Sequence, residues 1–312
     1  MPRATGNDLC EVFGFSPDDI TDAARKQWKS QRCPFVGGGC IKHSHPQEGR
    51  AFIVYGTCSV TNKTRGGVEE VIICPQRLYA GDYSVLRRCV DDATNKKLKI
   101  FTADEYSSMK KRGDLPAEYV VLFGHNSGGE IALSNPGVIS LSLDWVAAHM
   151  VGGQLASIIP CEVQSIDITG NYRSAWMAYS AELASIPDSK HGMNWANVWK
   201  RMIPQLILKG AVASTSQMCK YGLYFIVPDR VYVQFEKIVG GVSTAASASD
   251  GVLNVMTYRL GDKVGSGKTR SLQHVRTIRM FSTEFAKSFA SGTQLPLGTQ
   301  LDQKVLSLLM TL

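Results

Sequence analysis

Two stretches of the 312-residue chain place carboxylates where they can do chemistry. In Val138-Ile139-Ser140-Leu141-Ser142-Leu143-Asp144, apolar and polar residues alternate strictly from Ile139 onward. That is the period of a strand with one wet face, and it presents Asp144 on that face at the strand end. In Ile158-Ile159-Pro160-Cys161-Glu162-Val163-Gln164 the same period puts Glu162 and Gln164 on one side, with Cys161 and Val163 on the other. Two neighbouring strands would then bring Asp144 and Glu162 together, with Gln164 one pleat away. Carboxylates held close repel each other, which raises a pKa unless a cation sits between them. A hard divalent ion such as Mg²⁺ suits that position, bound by carboxylates, water and a phosphate oxygen. Such an ion lowers the pKa of bound water and stabilises charge developing on the phosphate. Gln164 can orient a water by hydrogen bonding but lends no positive charge. The plainer alternative is a turn cap at Asp144 and an ordinary ion pair at Glu162.

A second set of residues suggests a different metal. Of eight cysteines, four sit in turn-forming surroundings: Cys33 before Pro34, Cys40 after Gly37-Gly38-Gly39, Cys58 two residues after Gly56, and Cys74 before Pro75. Metal knuckles need tight turns so that backbone amides can point at the sulfurs, and Gly or Pro beside Cys supplies them. Six residues separate Cys33 from Cys40, wider than the usual two to four or so, so a cluster of small buried thiols is an equal reading. Cys10, Cys89, Cys161 and Cys219 mostly lack such neighbours and read as buried thiols. His43 and His45 are candidate ligands or a solvated loop pair.

Other motifs fall away. Gly265-Ser266-Gly267-Lys268-Thr269 ends like a phosphate-binding loop, but position 262 is Asp where the motif needs Gly. It reads as a basic loop. His125-Asn126-Ser127-Gly128 is no nucleophile elbow, so a serine hydrolase is unsupported. The net charge of +7 permits a polyanionic partner without naming one. The longest run without a charged residue, Trp145 to Cys161, contains His149, Gly152, Gly153 and Gln154, so no membrane span is expected. No apolar run follows Arg3, so no secretory signal is expected, and a soluble cytoplasmic protein is.

These residues need elements to hold them. Ser16-Pro17-Asp18-Asp19 predicts a helix running to about Lys29. Residues 31–77 are rich in Gly, Pro, Cys and His, with short strands such as Ala51–Tyr55. Helix resumes near Ala80, and Thr102 to Arg112 reads as a basic helix. Strands are expected at Tyr119–Phe123, Val138–Asp144, Ala156–Ile168 and Leu223–Glu236. A helix is expected over Asn194–Ala213, broken at Pro204, and a Leu- and Met-rich helix closes the chain. Helices around a mixed central sheet make the class α/β.

An Asp on one strand and Glu-x-Lys on the next is the pattern of PD-(D/E)xK nucleases, with Gln164 standing where Lys is commoner. The longer string from Cys161 to Arg173, with Asn194 to Arg201, Pro204-Gln205-Leu206-Ile207 and Lys209-Gly210, resembles the NotI-like type II restriction endonucleases. The Cys33-Pro34-Phe35, Cys58-Ser59 and Ile73-Cys74-Pro75-Gln76-Arg77 stretches look like that family's N-terminal metal-binding region. The resemblance spans Cys33 to Gly210. It implies a PD-(D/E)xK core in residues 91–312, behind a four-cysteine metal-binding region in residues 1–90. It also implies a prokaryotic homodimer that cuts both strands of DNA at a GC-rich palindrome with Mg²⁺, beside a cognate methyltransferase. On that reading Asp144 and Glu162 hold Mg²⁺, Gln164 replaces the usual Lys, and Glu130 is an additional acidic member. Cys33, Cys40, Cys58 and Cys74 would hold structural zinc or iron, Cys74 with the weakest claim. Arg173, Lys200, Arg201 and Lys209 would contact DNA. The alternatives are a DNA-binding protein that does not cut, and a nuclease that depends on modified bases.

Overall fold

The computed structural model describes residues 6–44, 52–137, 139–240, 242–291 and 298–310; Arg3, His45, Ala51 and Val138 lie outside them. The chain opens with β1 (Leu9–Val12), α1 (Asp22–Ser30), β2 (Thr57–Thr64) and β3 (Gly67–Ile72). The first helix begins later than Ser16-Pro17 predicts. Thr21 is the cap, accepting from the Ala24 amide, while the Asp19 carboxylate is spent on Thr21 itself. A local hydrogen bond has captured the acids that were expected to face the helix dipole. The three strands form an antiparallel sheet in sequence order.

Next come α2 (Ala80–Thr94), β4 (Lys99–Thr102), α3 (Ala103–Arg112) and β5 (Glu118–Gly124). The expected basic helix is α3, closed at its start by a reciprocal Thr102–Glu105 capping box and at its end by Gly113. They lead to β6 (Ile131–Asn135), β7 (Ile139–Leu143), β8 (Trp145–Val151) and β9 (Gln154–Val163). Here the alternating segment departs from expectation. Strand β7 pairs only with β6 in a separate ribbon, and the chain turns at Asp144 into β8, which is the neighbour of β9.

Beyond β10 (Ile168–Asn171), α4 (Arg173–Ser180) and β11 (Lys190–Met193), a π-helical turn at Val198–Met202 runs into α5 (Ile203–Thr215). Pro204 lies in the first turn of α5, where its missing N–H is harmless, so the break falls before it. The region expected as one strand from Leu223 divides into β12 (Leu223–Pro228) and α6 (Asp229–Val239). Strands β13 (Val252–Leu260) and β14 (Leu272–Phe281), then α7 (Ser282–Ala290) and α8 (Gly298–Leu309), complete the chain.

A seven-stranded mixed sheet in the order β14-β13-β12-β9-β8-β5-β4 organises the molecule. Strand β12 is parallel to both β9 and β13 and buried along its whole length, as central parallel strands are. Its residues alternate between two cores. Leu223, Phe225 and Val227 face the layer of α5 and α6, with Leu206 and Phe235. Tyr224 and Ile226 face the layer of α2, with Leu86 and Val90. Each buried side chain of this size contributes about 1.5–3 kcal/mol. Residues before and after position 90 share both clusters. Among the described residues, no helix is long and apolar enough to cross a membrane.

Candidate active site

Strand periodicity aims Glu162. Its neighbours Cys161 and Val163 belong to the α2-side core, so the Glu162 side chain projects toward α5. The antiparallel pairing Trp145↔Cys161 sets Asp144, at the foot of β8, beside it. The Asp144 amide donates to Glu162 Oε1 at 3.3 Å, and the Val163 amide donates to Asp144 Oδ2 at 2.9 Å. The approach depends on Gly124 at the end of β5. A Cβ there would lie 2.5 Å from the Asp144 carbonyl oxygen and 2.5 Å from the Trp145 ring.

The two carboxyl groups are in contact, and their electrostatics follow. Burial, then the Asp144 charge, pushes Glu162 up to about 8, against the opposing pull of Lys209. Asp144 is raised too, chiefly by burial and further by Glu130, with the Val163 amide and Lys209 working the other way. A pair of buried acids that retains a proton is one that a cation can replace.

Lys209 is the residue sequence reasoning misplaced. Expected at the DNA surface, it is buried on α5 with its ammonium 2.5 Å from Glu162 Oε2. A signal existed: Lys209 falls among Ile203, Leu206, Gly210 and Ala213, the buried stripe of α5. A lysine in such a stripe calls for a buried acid.

An open cleft of about 290 Å³ reaches Asp144 and is lined among others by Gln76, Tyr79, His125, Glu130 and Gln164, with Glu162 buried behind it. Glu130 is exposed and accepts from Ser142 Oγ at 2.6 Å. Tyr79 accepts from the Trp145 indole at 2.9 Å. Pro75 and Gln164 also line a smaller groove of about 150 Å³ that contains Arg201, Asn197 and Gln205. Arg201 and Lys200 are exposed, Lys200 lying over the Trp199 ring, and Arg173 is half-buried at the start of α4. Two motifs prove structural. Ser127 is buried, bonded to the Leu122 carbonyl and the Ala103 amide. The Gly267 amide of the basic loop is taken by Asp19 at 2.6 Å.

The four turn cysteines are neighbours. The charge of each thiol acts on others of the set: Cys33 on Cys40, Cys74 and Cys40 on Cys58, and Cys40 and Cys33 on Cys74. Burial raises Cys40 and Cys58 and lifts Cys74 to about 12. Amides already point at the sulfurs. Lys42 donates to Cys40 at 3.4 Å, Gly56 donates to the same sulfur, and Gln76 donates to Cys74. Among the described residues, no three or more His, Cys, Asp or Glu groups close to metal-holding distance. The thiols are gathered but not closed, and four sulfurs, two of them with directed amides, are the donor chemistry of zinc or iron. His43 instead packs against the Phe52 ring at a tilt of 40°. Cys161 faces the opposite core beside Cys89, away from this set.

No family model matches this sequence, and no curated protein matches it.

Proposed function

We propose that the chain is a Mg²⁺-dependent endonuclease of duplex DNA, built on a PD-(D/E)xK core and acting as a type II restriction enzyme. One observation carries this reading: Asp144 and Glu162 converge from adjacent antiparallel strands, with Gln164 beside them at the mouth of an open cleft. Two raised-pKa carboxyls with further oxygen donors at Gln164 and Glu130 are the ligand chemistry of a hard divalent ion. When bound there, Mg²⁺ supplies the charge that activates water and stabilises the phosphate. The chain's own residues do the rest. Asp144 and Glu162 are held in place by the Val163 and Asp144 amides, so little reorganisation is needed when a phosphodiester arrives. Gln164 orients the attacking water through its amide, and Glu130 organises solvent on the exposed side.

Arg201, Asn197 and Gln205 line the groove that continues from Gln164, a path suited to the neighbouring phosphate. Arg173 and Lys200 extend the basic flank. A homodimer would match the two-fold symmetry of a palindromic, GC-rich site. The four cysteines would hold structural zinc or iron, and a cognate methyltransferase would protect the host's own sites.

The test is incubation of the purified protein with unmodified GC-rich plasmid and Mg²⁺. Discrete double-strand cuts that vanish in Asp144→Ala are expected. Binding without cleavage, unaffected by that substitution, would overturn the nuclease reading in favour of a DNA-binding protein. Cutting confined to methylated plasmid would replace it with a modification-dependent nuclease. For the cysteines, metal analysis of Cys33→Ser should show about one metal ion fewer per chain. Unchanged content rejects that site.

A further inference from the structure

We propose that Lys209 is the resident counter-ion of the acid pair. Its ammonium holds Glu162 beside Asp144 when no divalent cation is present, and it competes with that cation for Glu162. The proposal rests on reading Asp144 and Glu162 as a cation site.

Both oxygens of Glu162 are engaged. Oε1 accepts from the Asp144 amide at 3.3 Å, and Oε2 lies 2.5 Å from Lys209 Nζ. Glu162 and Lys209 are 1% and 7% exposed, so water screens the contact little. A cation that took Glu162 fully would have to displace this ammonium or share its oxygen.

The direction of approach matters. Lys209 reaches Glu162 from α5, whereas the cleft is lined by Asp144, Glu130 and Gln164. The ammonium therefore leaves the cleft-facing acid open. It stands behind the pair as a positioning residue. Gln164, in the position where a lysine is commoner, cannot supply this charge. A buried lysine on a neighbouring helix does so from a sequence distance of 47 residues to Glu162. The lysine stem is long and flexible, so the ammonium can withdraw when a stronger cation arrives.

Removing this charge has a definite sign. A divalent ion feels the loss of the ammonium's repulsion about twice as strongly as the proton that competes for the same carboxylates. The net result is tighter cation binding, together with a less stable metal-free protein, because a buried acid has lost its partner.

The experiment is calorimetric titration of the full chain with Mn²⁺ alone, without DNA, for wild type, Lys209→Met, Lys209→Arg and Asp144→Ala. Lys209→Met is expected to bind Mn²⁺ roughly tenfold more tightly, to melt at a lower temperature without metal, and to gain more from added Mn²⁺. Lys209→Arg, which keeps the charge, should stay near wild type. Lys209→Gln, a donor without charge, should behave like the methionine variant and serves if that variant does not fold. If both uncharged variants bind Mn²⁺ no tighter than wild type while Asp144→Ala abolishes binding, the counter-ion role is overturned and the acid pair stands. If Asp144→Ala leaves wild-type Mn²⁺ binding unchanged, the acid pair is no cation site and the proposal falls with it.

Discussion

Among the described residues, two acid–base pairs are buried, and their charges are balanced differently. Glu11 and Arg77 are 1% and 0% exposed and meet fork to fork, at 2.9 and 3.0 Å. Ser59 donates to the same carboxylate, Arg77 also donates to the Arg270 carbonyl, and the guanidinium lies over the Phe35 ring at 4.7 Å. One positive charge meets one negative charge, with hydrogen bonds spread around both. At Glu162 and Lys209, one ammonium faces two carboxyls, and the second of these opens onto a cleft. The first arrangement balances its charges one to one, although Glu11 also borders a cavity with Lys263, Lys268 and Arg270. The second sets two acids against one base, the imbalance on which the proposed cation site rests.

The largest expected effect breaks the comparison at the acid pair. Glu162→Ala should lower the single-turnover cleavage rate by roughly 10⁴-fold, about 5.5 kcal/mol of barrier, with circular dichroism unchanged. Cleavage retained within tenfold of wild type would remove Glu162 from the chemistry.

At Glu11 and Arg77 the loss should appear in stability instead. Glu11→Ala or Arg77→Met alone leaves a buried charge without its partner, costing about 3–5 kcal/mol in urea unfolding. Glu11→Leu combined with Arg77→Met should cost much less than the sum of the single changes. If the double variant is as unstable as that sum, the pair is not a self-contained unit.

A smaller effect tests how the acids are brought together. Gly124→Ala forces a methyl group against the Asp144 carbonyl, so about 1–3 kcal/mol of stability should be lost. Cleavage should fall as well, since Asp144 must shift. Loss of stability with full activity would show that the Asp144 position tolerates displacement.

The smallest effect concerns Asp19, a carboxylate held by several donors, with the neighbouring Asp18 charge as a minor opposing influence. Burial raises its pKa, but the Thr21 hydroxyl, the Gly267 amide and the Thr21 amide outweigh that, leaving it below the ordinary value. A group lowered on folding adds stability above its unfolded pKa, near pH 4, and loses it as pH falls through the folded value. The urea midpoint of wild type should therefore exceed that of Asp19→Asn at pH 6, with the gap narrowing toward pH 3. A gap that stays constant on acidification rejects the assignment. Glu162 is raised where Asp19 is lowered, because burial and the Asp144 charge there outweigh Lys209 and the Asp144 amide.

How much of this was legible varied by residue. Period-two alternation identified the facing of Glu162 and the polar end position of Asp144, because strand geometry is local. It did not show which strand would lie beside β9. The pattern over Ile139–Leu143 is as good a strand as any, yet it pairs in a side ribbon, and the chain bends at Asp144 into β8. Pairing partners depend on long-range packing that no local period encodes. Strands β13 and β14 went unread because β13 is buried along most of its length and shows little alternation. The first helix was drawn too early because Asp19 found a nearer donor than the helix dipole. The turn cysteines were legible through Gly and Pro, and the amides that point at Cys40 and Cys74 come from those turns.

The sequence by itself determined the chemistry available: two acids and a glutamine at strand spacing, four cysteines in tight turns, and a mild excess of positive charge. Those properties follow from residue type and from periods of a few residues, which are local. Only the tertiary structure decided that α5 lies across the face of β9 toward which Glu162 points, so that Lys209 is buried against that acid. The physical reason is that a lysine's role depends on whether its ammonium finds a carboxylate or water. That is fixed by which helix the folded core presses against which strand.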